Sequence, residues 1–198
     1  AINLFYFKEK ITSKKSLVLL LTNLTTFSTT GYVATAVLFV GYIFFSNIKK
    51  SYKFILSVIL LVVVYYVGQL DFMTEKIAEQ SADDSTWSRF GAIAYHWNQI
   101  TQSPIIGFGP FLSNVFGDEL FSPNGLTDLM RYYGIPLSIV FYYLLYRGTK
   151  VYVGNSHKGA NVCVFVSLLL LCFSQTITYS PFFMILYFFA FNTYTYDK

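Results

Sequence analysis

The sequence predicts an all-α, polytopic integral membrane protein with one large, partly helical external loop, and three observations lead there. Of 198 residues, 55% are hydrophobic and only 12% charged, with 21 phenylalanines and 17 tyrosines, whereas soluble domains average about 25% charged residues. Apolar runs recur along the chain, and a helical bilayer crossing takes about 17 to 25 mostly apolar residues. Lysines gather in the short segments between those runs, as they do in the inner loops of membrane proteins.

In chain order, spans are expected at 31–46, 54–70, 135–146, 161–178 and 181–192, with a shorter run at 17–27. The runs at 135–146 and 181–192 are short, so Tyr132, Tyr133 and Tyr194 would extend them as interfacial aromatic rings. This divides the chain into an N-terminal helical part, 1–70, a large loop, 71–134, and a C-terminal helical part, 135–198. Ala1 heads the chain without a signal-peptide pattern, and the sequence is expected to be a piece of a longer protein. Cys163 and Cys172 share one run about 13 Å apart by helical rise. That separation is too wide for a disulfide, and both read as core thiols.

Charge supplies the sidedness. Lys8, Lys10, Lys14, Lys15, Lys49, Lys50, Lys53, Arg147, Lys150, Lys158 and Lys198 fall on the side that alternate crossings make cytoplasmic. The 71–134 loop is acidic, yet it holds Arg89 and Arg131, and a planar, always-charged fork suits bidentate contact with phosphate or carboxylate. Net basicity therefore does not mark a nucleic-acid binder, because the candidate site is acidic.

Within the loop, Ser85 is a candidate N-cap, and TWSRFGAIAYHWNQITQ reads as a helix stopped by Pro104. Trp87, Phe90, Ala94 and Trp97 fall on one stripe at spacings of three and four, with Arg89 and His96 at its edge and Asp83 and Asp84 ahead of the first turn. In PIIGFGP, Gly107 and Gly109 permit backbone conformations closed to other residues, either as a bend or as a close approach to a ligand. SPNGLTDLMRYYG then reads as a helix with Ser122 as N-cap, Pro123 in the first turn and Gly134 at the end. Asn124, Asp128 and Arg131 occupy one arc of it; Leu126, Leu129, Met130 and Tyr133 occupy the other. The apolar arc is expected on lipid or protein and the polar arc toward something wet. A solvated face with a weak Asp128–Arg131 ion pair accounts for the same spacing.

Three stretches in this order resemble the O-antigen polymerase and O-antigen ligase family of bacterial envelope proteins: TTFSTTGYVATAV, WSRFGAIAYHWNQITQSPIIGFGP and PNGLTDLMRYYGIP, a likeness covering roughly 22–146. The resemblance implies a bacterial inner (cytoplasmic) membrane enzyme. It would join lipid-diphosphate-linked oligosaccharide repeat units, for O-antigen, capsule or a related glycan, on the outer face and without metal or cofactor. Its partners would be a polyprenyl-diphosphate-linked oligosaccharide and the lipid bilayer, with room for a chain-length regulator protein. Arg89 and Arg131 would hold the diphosphate as negative charge develops on it. Asp128 or His96 would take the acceptor proton, although a histidine beside an apolar stripe is also commonly just packed. Asn124, Ser28, Thr29, Thr30, Gly107 and Gly109 would line the substrate. Two departures stand out: Pro123 precedes Asn124 where family members have histidine, and Thr29 follows Ser28 where many have arginine. The first disfavours a lipid A ligase, and the second removes a phosphate contact. A polysaccharide flippase or transporter should show ionisable groups within its spans, and none lies there. A non-catalytic membrane subunit is the remaining rival.

Overall fold

The computed structural model describes residues 13–25, 28–45, 49–69, 75, 89–109, 124–153 and 159–191. Among them are helices α1 (Lys14–Thr25), α2 (Thr29–Phe45), α3 (Lys50–Gly68), α4 (Arg89–Gln102), α5 (Gly125–Val153), α6 (Ala160–Ser174) and α7 (Pro181–Phe189), and no strand. The helical character agrees with the expectation. The membrane crossings do not: no helix among the described residues is long and apolar enough to cross a membrane.

That finding overturns both the polytopic fold class and the multi-pass inner-membrane location: the described helices are short, broken or interrupted by charge. A hydrocarbon core of about 30 Å needs about 20 helical residues. α1 has 12, α6 has 15 and α7 has 9, and α2, with 17, is about 26 Å long at helical rise. α3 reaches 19, but Lys50 and Lys53 occupy its first turn, leaving 54–68, about 22 Å at helical rise. α5 is 29 residues long, but it breaks at Gly134 and carries Asp128, Arg131, Arg147 and Lys150. The sidedness read from the lysines counted crossings and loses its basis with them.

Two apolar clusters organise the helices. Leu145 of α5, Cys172 of α6 and Phe183, Leu186 and Tyr187 of α7 form one, with Leu126, Phe141 and Leu144 of α5 packed against it. Val153, Ala160 and Val164 form the other, covered by Leu38 and Tyr42 of α2. α2 packs chiefly on α6, and Ser167 Oγ ties the two, lying 3.0 Å from Ala34 O and 2.8 Å from its own helix at Cys163 O. Cys163 and Cys172 are both free. Burial pushes the Cys172 thiol up to about 12, so it stays protonated as a core group.

The break in α5 is a reversal. Gly134 has φ 76 and ψ 167, a left-handed conformation that strains any residue with a Cβ. Tyr142 Oη donates to Leu126 O at 2.7 Å, although sixteen residues of straight helix would separate the two by about 24 Å. The second half of α5 therefore turns back beside the first, and the ring of Phe141 comes within 5.7 Å of that of Tyr133. Gly134 thus ends the first half as the sequence predicted, and Pro136 falls in the first turn after the break, where its missing N–H costs little.

The segment after α4 locks onto this break. Phe108 N–H donates to Arg131 O at 2.9 Å and Ile135 N–H donates to Pro104 O at 2.8 Å. A Cβ on Gly107 (φ 72) would meet Tyr132 O and Gly134 N at 2.5 Å, and one on Gly134 would run into Ile105 O. Two glycines thus hold two backbones in direct contact, which fixes α4 against the first half of α5.

Candidate functional site

The site begins with the two helices that this glycine contact brings together. Asn124 caps α5, its Oδ1 accepting the N–H groups of Leu126 at 3.1 Å and Thr127 at 3.4 Å. The first four N–H groups of a helix lack an intrahelical partner, and such a cap satisfies two of them here. Ser122, the expected N-cap, and Pro123, expected in the first turn, lie outside the described residues. From Asn124 the helical period sets Asp128 one turn on and Arg131 three residues further, and all three are buried. The polar arc of α5 therefore faces inward, against α4, which corrects both the wet face and the solvated ion pair expected from the sequence.

Arg131, 1% exposed, donates through Nε to Asp128 Oδ1 at 2.6 Å. Its Nη1 donates to Gln99 Oε1 of α4 at 3.3 Å, and its guanidinium carbon lies 5.7 Å from the centre of the Tyr132 ring. His96 of α4, also buried, shares a 2.6 Å hydrogen bond between Nδ1 and the Thr127 hydroxyl of α5. One face of α4 thus supplies an imidazole and a carboxamide, and one face of α5 supplies a carboxylate and a guanidinium.

Burial governs the charges here. It pulls His96 down to about 3, with the nearby Arg131 charge adding to the effect, so the imidazole is neutral at physiological pH. Burial also raises the Asp128 carboxyl above its ordinary range, outweighing the attraction of the Arg131 guanidinium. A buried ion pair of this kind gains Coulomb energy but loses hydration, and removing one partner leaves an uncompensated charge at a cost of about 3–5 kcal/mol. The Asp128 carboxylate is therefore the stronger proton acceptor of the two, and His96 is set up chiefly as a neutral hydrogen-bonding group. Tyr179, before α7, adds its ring 6.2 Å from those of Tyr132 and Tyr133, and its hydroxyl is raised by burial and then by the Asp128 charge.

The sequence does carry a signal for Gln99: Arg89, His96 and Gln99 recur at spacings of seven and three, which keep the helical period as the four and three of Asn124, Asp128 and Arg131 do. The two described members of the apolar stripe expected on α4 lie on its outer side. Ala94 and Trp97 are exposed, Trp97 by 55%, and the buried face is Ala92, His96, Gln99 and Ile100. Gln99 Nε2 is buried without a hydrogen-bond partner among the described residues, and an unmet buried donor costs about 1–3 kcal/mol.

The remaining candidates are distributed differently. Arg89 opens α4, but its side chain lies outside the described residues, as do Trp87 and the Phe90 side chain. The expected convergence of Arg89 on Arg131 therefore falls on a side chain that is not described. Ser28 caps α2, its Oγ accepting the Gly31 N–H at 3.1 Å; Thr29 and Thr30 follow in the first turn, on a helix whose main neighbour is α6 rather than α4 or α5. Gly107 is taken up in the backbone contact with Gly134, whereas a Cβ on Gly109 (φ 53) would meet nothing within 4 Å. Among the described residues no group of His, Cys, Asp or Glu is placed to hold a metal ion. Comparison of the chain with protein-family models, curated proteins and solved structures gives no match.

Proposed function

We propose that this chain is a glycosyltransferase-type polymerase that moves a glycan from a polyprenyl diphosphate to a sugar hydroxyl, with the junction of α4 and α5 as its reaction centre. The observation that carries the reading is the buried guanidinium of Arg131, held between Asp128 and Gln99. As the glycosidic C1–O bond breaks, both its electrons go to the departing diphosphate, and a preorganised cation in a water-poor site stabilises that charge far better than one in water. The acceptor oxygen forms the new bond to C1 and gives up its proton. Asp128, whose carboxyl burial raises, is the better placed base. The resemblance of 22–146 to the polymerase and ligase family supplies the donor class and adds Arg89 as the second cation. A joined repeat unit and a free polyprenyl diphosphate are the products.

The test is extension of a fluorescent polyprenyl-diphosphate-linked oligosaccharide by the full chain, read as a ladder on a gel. Arg131→Lys and Asp128→Asn should each slow extension by about 100-fold or more per folded molecule, the folded fraction being read by circular dichroism because each change disturbs a buried ion pair, while His96→Ala should slow it far less. Wild-type rates in both of the first two variants would overturn the proposal.

A second reading has one observation in its favour: Nε and Nη1 of Arg131 both point at protein groups. In that case the cluster is a structural lock and the chain a non-catalytic subunit. No ladder would form, and Arg131→Lys would show itself only as a lowered melting temperature.

A further inference from the structure

We infer that the carboxamide of Gln99 is a ligand-binding donor of this site, oriented by Arg131 so that its Nε2 meets an oxygen of a bound diphosphate. The inference rests on the reading of the junction as a diphosphate site and adds a residue to it.

The geometry leaves the amide little choice. Gln99 is 2% exposed, and its Oε1 receives Arg131 Nη1 at 3.3 Å. Rotating the amide by a half-turn would set two donors against each other, since a guanidinium has no acceptor. Oε1 is therefore committed to Arg131, and Nε2, on the opposite side of the same planar group, must point away from it. There it has no hydrogen-bond partner among the described residues and no exposure to solvent.

Packing alone does not call for such an arrangement. A leucine or methionine at position 99 would fill a similar volume without burying an unmet donor, and native structures rarely leave one in place without a functional or strain-related reason. An anion resolves it, because phosphoryl oxygens are strong acceptors. The same oxygens that a guanidinium attracts would be offered to an N–H aligned by that guanidinium. Arg131 then acts twice, once by its charge and once by holding the amide.

Inorganic pyrophosphate is the probe, with binding read by calorimetry and by the shift in melting temperature of the full chain. Wild type should bind, with its melting temperature rising as pyrophosphate is added. Gln99→Glu keeps an acceptor for Arg131 but has no donor to offer, so it should fold with an unchanged or higher melting temperature and lose at least 10-fold in pyrophosphate affinity. Gln99→Leu should lose affinity similarly. Wild-type affinity in both variants, with Arg131→Lys weakened, would overturn the role of Gln99 and leave the diphosphate site standing. No binding by wild type would remove both.

Discussion

α3 and α4 are opposites in composition and opposites again in what they bury. α3 is apolar from Phe54 to Leu56 and from Val58 to Val64, interrupted only by Ser57, yet Phe54, Ile55, Val58, Ile59 and Leu61 to Tyr66 are all exposed. α4 reads RFGAIAYHWNQITQ, and its buried side includes His96 and Gln99 while Trp97 stands out at 55% exposure. The difference teaches that partnership, not hydrophobicity, decides which face of these helices is inside. Among the described residues α3 packs chiefly on α2, and most of its apolar surface is left exposed. α4 meets the polar arc of α5, and groups that match one another in charge and hydrogen bonding go inward together.

The contact that creates this partnership is the most sensitive place to break the contrast. Gly134→Ala adds a Cβ that runs into Ile105 O at a left-handed φ, and Gly107→Ala meets two backbone atoms at 2.5 Å. Either should lower the unfolding free energy by more than about 3 kcal/mol, the strain alone being about 1–2 kcal/mol. Gly109→Ala has the same sign of φ but open space around it, so urea unfolding should show a loss near that strain value alone. Equal losses in all three would mean that the two backbones are not in contact.

Acid should expose the buried side of α4 next. With His96 held near 3 against an ordinary 6.5, the unfolded chain binds the imidazole proton more readily than the folded one. Stability is then full above about pH 6.5 and falls as pH drops toward 3, by up to about 1.4 kcal/mol per pH unit. Asp128, raised by burial, works in the opposite direction at the acid end and offsets part of the loss. A stability profile measured from pH 7 to 4 should flatten in His96→Gln; the same slope in both proteins would place His96 in water.

The smallest effect belongs to α3. Leu61 is 71% exposed, and Leu61→Gln should shift the unfolding free energy by less than about 0.5 kcal/mol. A larger loss would mean that this side of the helix is covered.

Much of the candidate site was legible in the sequence. Asn124, Asp128 and Arg131 were placed on one arc by the 100° helical period, which is a local property of the chain, and Gly134 was marked as the end of that arc by its left-handed tolerance. The direction in which the arc faces was not legible, because it depends on α4, which lies more than twenty residues earlier and docks through the Gly107–Gly134 contact. For the same reason Gln99 was passed over: its significance comes from Arg131 Nη1 and not from its neighbours in α4. Ser28 serves as a helix cap, a local role, whereas the close approach of Gly107 to the Gly134 backbone joins two distant segments.

By itself, the sequence determined that the described chain is helical, which apolar stretches form helices, and which polar residues share a turn, because helix periodicity, caps and breakers act within a few residues. Only the tertiary structure decided that no helix among the described residues is long and apolar enough to cross a membrane, that α5 folds back on itself, and that a guanidinium and a carboxylate go inward. The folding back of α5 and the inward polar pair depend on what each helix meets, and that is set by contacts between segments far apart in the chain.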